Sequence, residues 1–97
     1  MPRPRDAPRG KVPKFTLGRT MITAGALAAL NHEDVLTALN RHVVGDWGEV
    51  DAEDWNANER ALCEGGRIVS VYRSSQRFYV ITEWDRSLTT VLLPEEY

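Results

Sequence analysis

The densest group of chemically competent side chains in the chain is Thr82-Glu83-Trp84-Asp85-Arg86-Ser87. Glu83 offers the carboxylate of a general base, and Arg86 the planar fork that holds a phosphate. Arg67, Arg73 and Arg77 fall on what read as neighbouring strands and would add positive charge. A base, an acid and cations facing a phosphorane-like charge are what a metal-independent ribonuclease needs, so Glu83 and Arg86 are the candidate catalytic pair. The competing reading is a plain turn. There Asp85 and Ser87 satisfy the backbone and Arg86 pairs with Glu83 or Asp85.

The second group is Gly45-Asp46-Trp47-Gly48, a turn carrying a large aromatic. A tryptophan between glycines can present its indole to a partner, or plug the gap between two helices. Acids follow it closely: Asp46, Glu49, Asp51, Glu53, Asp54, Glu59 and Glu64. Carboxylates in such a row can occupy a basic groove on a nucleic-acid-binding protein, although a net charge of −2 is low for a nucleic-acid mimic. Asp46, Trp47, Asp51, Asp54, Asp85 and Arg86 are therefore the candidate binding residues. Cys63, His32 and His42 lack the spacing of a zinc set, so neither metal nor cofactor is expected. Cys63 reads as a small buried hydrophobe, and each histidine as a cap or helix-end charge. No P-loop, Gly-x-Ser-x-Gly, dinucleotide fingerprint or His-Glu-x-x-His occurs in the sequence.

Those groups must be carried by a small scaffold. The chain has 97 residues, 42 % apolar and 27 % charged, enough for one domain. Residues 1–20 hold six bases and one acid, and residues 32–64 hold nine acids and two bases. Pro2, Pro4, Pro8 and Pro13 oppose regular structure in residues 1–14, which read as a flexible basic arm ahead of a domain at 15–97. Residues 15–23 favour an edge strand interrupted by Gly18. Thr23 caps a short small-residue helix that ends at Leu30. The stretch Met21–Leu30 is about half of a membrane span. Behind its basic lead it resembles a signal-peptide core, but losing it would leave too small a core, so a helix of the folded domain is favoured.

Asn31 caps a second helix over 32–43, with Val35, Leu36, Leu39 and Val43 at helical spacing on one buried face. Asp51 caps a third over 52–64, stopped by Gly65-Gly66. The period then changes to 2. Residues 67–73, 77–83 and 88–93 read as three strands, the first two joined by Ser74-Ser75-Gln76. The expected fold is α+β: two to three N-terminal helices packed on a C-terminal three-stranded antiparallel meander.

The stretch Arg41-His42-Val43-Val44-Gly45-Asp46-Trp47-Gly48-Glu49, then Asp51, Asp54, Asn58, Gly66-Arg67, Ser70, Ile81-Thr82-Glu83, Asp85-Arg86-Ser87, Thr89-Thr90 and the closing Leu92-Leu93-Pro94-Glu95-Glu96-Tyr97 carry a resemblance. Over residues 17–97 the chain resembles a small bacterial family of plasmid-related proteins, some of them labelled as a type I restriction subunit. The chain lacks the methyltransferase motifs of such a subunit. Trp84 departs from the small residue of the resembled pattern. The resemblance implies a cytoplasmic, bacterial accessory protein of a mobile element.

The favoured expectation is thus a non-enzymatic interaction protein, acting on or beside a nucleic-acid-processing or restriction-type system through a protein partner. A nucleic-acid partner and a homodimer through a sheet edge are further readings, and no membrane association is expected. The alternative is the small ribonuclease or toxin-like domain, with the helix-then-meander layout of barnase- and RelE-like folds. That alternative rests on fold analogy.

Overall fold

The computed structural model describes residues 12–97, so most of the expected basic arm lies outside the described residues. The domain opens with strand β1 (Arg19–Ile22), followed by helices α1 (Ala24–Ala29), α2 (His32–Val43) and α3 (Ala52–Glu64). Strands β2 (Ile68–Arg73), β3 (Arg77–Thr82) and β4 (Leu88–Leu92) come next, then a short 3-10 turn at Pro94–Glu96. The helices start where their caps dictate. Thr23 accepts from the Ala26 N–H, Asn31 from Glu33 and Asp34, and Asp51 from Asp54. Gly65 and Gly66 both take positive φ beyond α3, which ends the helix and redirects the chain into β2.

The α+β class holds, but the sheet differs from the expected three-stranded meander. It is four-stranded and mixed, in the order β1-β4-β3-β2. β2, β3 and β4 form the antiparallel meander, and β1 adds to it in parallel, with Arg19 opposite Leu88 and Ile22 opposite Val91. The physical reason is non-local. Strand-forming residues at 19–22 announce a strand, but its neighbour lies at the far end of the domain. Gly18 makes the junction possible: it sits at φ +65°, and a Cβ there would stand 2.4 Å from the Arg86 carbonyl oxygen.

Alternation sorts the two faces of the sheet. Ser70, Tyr72, Phe78, Val80, Thr82, Thr89 and Val91 are buried on the face covered by α1 and α2. Of the face expected for α2, Val35 is buried, Leu39 is partly buried and Leu36 is exposed. Ala38 and His42 complete the buried stripe, so it is rotated from the purely apolar face that the sequence favours. Trp47, Ala61 and Ile68 form a second core cluster with Phe15, Val50 and Leu62 against it.

The free side of β2 is closed by two devices. The Asn58 amide donates to the Val69 carbonyl oxygen (2.9 Å) and accepts from the Val69 N–H (3.1 Å), so one side chain replaces a strand neighbour. At Val71 the main chain of residues 47–49 does the same, with the Val71 N–H on the Trp47 carbonyl and the Glu49 N–H on the Val71 carbonyl. Among the described residues, β1 is the remaining edge strand of the sheet. Among the described residues no helix is long and apolar enough to cross a membrane.

Candidate functional site

The outer face of the sheet carries a trough of about 540 Å³. Val69 and Val71 line it from β2. α3 and the segment before it supply Glu49, Asp51, Asp54, Ala57 and Asn58, while Tyr79 and Tyr97 stand on the other side. Arg67 and Arg77 also line it. Arg67 directly precedes β2, and Arg77 is the register partner of Arg73 at the opposite end of that strand. At ~3.3 Å per residue, the two positions are about 20 Å apart along the trough.

Most of these groups are already engaged. Glu49 pairs with Arg73 at 3.2 Å. Arg67 pairs with Glu83 at 3.4 Å, donates to the Tyr97 hydroxyl (3.3 Å) and lies over the Tyr97 ring. The Tyr97 ring meets Tyr79 edge-on with centroids 5.6 Å apart. Asp51 spends one carboxylate oxygen on the Asp54 N–H (2.8 Å) as the cap of α3. What remains is the Asp54 carboxylate, the second oxygen of Asp51 and the Arg77 guanidinium, none with a polar partner among the described residues. The trough therefore presents uncommitted negative charge from α3 and uncommitted positive charge from β3.

The structure brings only Asp51 and Asp54 of the six candidate binding residues to this trough. Trp47 is fully buried (0 %), with its Nε1–H donating to Glu59 Oε2 at 2.9 Å. The expectation of Trp47 as a surface anchor is thus corrected: the flanking glycines fold the indole inward between α3 and the sheet. Gly48 makes that path possible, since a Cβ there would lie 2.0 Å from the Val71 carbonyl oxygen. Asp46 holds Arg41 in a two-pronged pair at 2.8 and 3.2 Å, which raises the arginine's pKa. Asp85 closes the β3–β4 turn by accepting from the Ser87 N–H and hydroxyl, and those bonds hold its pKa below the usual carboxylate value.

Arg86 is not paired with Glu83 or Asp85 through its side chain. Its guanidinium donates to the carbonyls of Gly66 (2.6 Å), Ala61 (3.0 Å), Glu83 (3.1 Å) and Trp84 (3.3 Å). It thereby satisfies the C-terminal end of α3 and ties it to the turn, which accounts for a non-glycine residue held at φ 62°. Glu83 faces Arg67 instead. The candidate catalytic pair is therefore split between a helix-end clamp and an ion pair. Trp84, beside them, is exposed.

His42 has a role that its position near a helix end does not suggest. It is fully buried (0 %) and bonded at both nitrogens, Nδ1 to Ser70 Oγ (2.6 Å) and Nε2 to Thr82 Oγ1 (2.9 Å). Proton counting fixes its tautomer. Thr89 donates its hydroxyl proton to the Leu17 carbonyl (2.6 Å), so Thr82 must donate to Thr89 (2.7 Å). Nε2–H then donates to Thr82, and Nδ1 accepts from Ser70. Burial, reinforced by the charge of Arg86, pushes the His42 pKa down to about 3, so the ring is neutral. Phe15 and Trp47 pack edge-on against it at 5.3 and 5.8 Å. Its spacing from Val35 and Ala38 was the available sequence signal.

Cys63 is exposed rather than buried, because the inner stripe of α3 runs through Asn58 and Ala61. Among the described residues no group of three or more His, Cys, Asp or Glu side chains could hold a metal ion. No family model matches the chain, and neither curated proteins nor solved structures give a match.

Proposed function

We propose that this chain is a non-enzymatic interaction domain that engages a protein partner through the trough between α3 and the outer face of the sheet. The observation that carries this reading is a pair of opposite charges, Asp54 and Arg77, without a polar partner among the described residues and lining one aromatic-flanked trough. Such a surface offers apolar area from Val69, Val71 and Tyr79 together with oriented charge, the combination that confers specificity on a protein contact. The resemblance to plasmid-related chains supports an accessory role in a mobile element, beside a nucleic-acid-processing or restriction-type system. The ribonuclease reading has less support, since Arg86 is committed to four backbone carbonyls and Glu83 to Arg67.

The test is affinity capture from the native host, followed by titration of the purified partner. The wild-type chain and the double variant Asp54→Arg/Arg77→Glu are compared at equal fold stability. Binding by the wild type and loss of at least tenfold in affinity by the double variant is the expected result. Undiminished binding by the double variant overturns the assignment of the trough as the contact surface.

A further inference from the structure

The trough also constrains the chemistry of what fills it. Its occupant cannot pair with β2 at Val69 or Val71, because Asn58 and residues 47–49 already hold those backbone groups. It must instead lie on the outer face and be read through side chains. Its lining spans about 20 Å between the two arginine positions, the reach of a six-residue extended segment. Asp51 opens α3 two residues after Glu49, and Glu49 holds Arg73, the register partner of Arg77. Asp51 and Arg77 therefore stand at the same end of the trough, the acid on the α3 side and the base on the β3 side. In an extended peptide successive side chains point to opposite sides.

Resting on the reading of the trough as the partner surface, we propose that it takes an extended peptide segment in which a basic residue stands directly beside an acidic one. The basic side chain sits on Asp51 and Asp54, and the acidic one on Arg77. A purely basic segment is opposed by Arg77 and Arg67, and a purely acidic one by Asp51 and Asp54. The carboxylates of α3 likewise disfavour a phosphate backbone. Tyr79 and Tyr97 provide the apolar wall against which the next residue packs.

The experiment is an NMR titration of the full chain with capped six-residue peptides of alanine and valine. They carry an adjacent Lys–Glu pair, Lys alone, Glu alone, neither charge, or Lys and Glu two positions apart. A six-residue thymidine oligonucleotide is the nucleic-acid probe. The adjacent pair is expected to shift the amides of Ala57, Val69 and Val71 and to bind about fivefold more tightly than any other probe, the scale of partly exposed ion pairs. Its advantage over Lys alone should vanish in Arg77→Gln, and its advantage over Glu alone should shrink in Asp54→Asn, which leaves Asp51 in place. Equal binding of all five peptides at these amides overturns the charge rule but leaves the trough as a contact surface. Tighter binding of the oligonucleotide, or peptide shifts confined to other parts of the chain, overturns the proposed occupant. The charge-reversed variant of the partner titration judges the surface separately.

Discussion

The two faces of one sheet are built on opposite terms. On the inner face the buried polar side chains of the described residues are all engaged. Ser70, His42, Thr82 and Thr89 pass hydrogen bonds along a single buried line that ends on the Leu17 carbonyl, and Trp47 delivers its one N–H to Glu59. On the outer face Asp54 and Arg77 are left with nothing to hold among the described residues, in a trough open to solvent. A buried polar group without a partner costs about 1–3 kcal/mol, so the inner face had to be closed. An exposed charge loses little by waiting for a partner, so the outer face could stay open. The contrast separates what the fold needs from what it can offer.

That contrast can be broken most forcefully at Trp47. Trp47→Ala should cost about 4 kcal/mol of stability, by chemical denaturation, because it empties the centre of the second core cluster. A cost under 1 kcal/mol would return Trp47 to the surface role, one of the two readings that its turn allows in the sequence. Asn58→Asp should cost about 2 kcal/mol, since a carboxylate cannot donate to the Val69 carbonyl and would face it with charge. Its measured urea midpoint should fall while the denaturant slope stays constant.

The His42 prediction is a slope rather than a loss. The folded ring titrates at about 3 and the unfolded one near 6.5, so between those values the unfolded chain binds a proton that the folded chain refuses. Stability therefore falls as the pH falls through this window, by about 2 kcal/mol between pH 6.5 and pH 5. Urea midpoints at the two pH values should show it, and His42→Gln should flatten the slope. The smallest effect belongs to the outer face. Asp54→Asn and Arg77→Gln should each change stability by less than about 0.5 kcal/mol, measured by thermal unfolding. A larger change would mean that these charges hold the fold and are not available to a partner.

The local grammar of the fold was legible in the residues. Thr23, Asn31 and Asp51 cap as their side chains require, Gly65-Gly66 stops α3, and the change of period after Gly66 marks the meander. What escaped was whatever depends on distant partners. β1 has strand-forming residues, but its parallel pairing with β4 follows no local pattern. Arg86 looks like a phosphate fork because its type is visible, whereas the carbonyls it serves at Ala61 and Gly66 are brought to it by the tertiary fold. The trough was half legible: Asp51 and Asp54 stand out in an acidic run, yet Arg77 and Tyr97 come from other elements and reach them only through the sheet.

The parallel union of β1 with β4 has a consequence for the order in which the domain can be assembled. Leu17 and Thr89, which meet at that seam, are 72 positions apart in the chain. During synthesis β1 must wait for this partner until the residues through β4 have emerged. Helices and the 68–82 hairpin can condense meanwhile through local contacts, whereas the seam has to close a far longer loop.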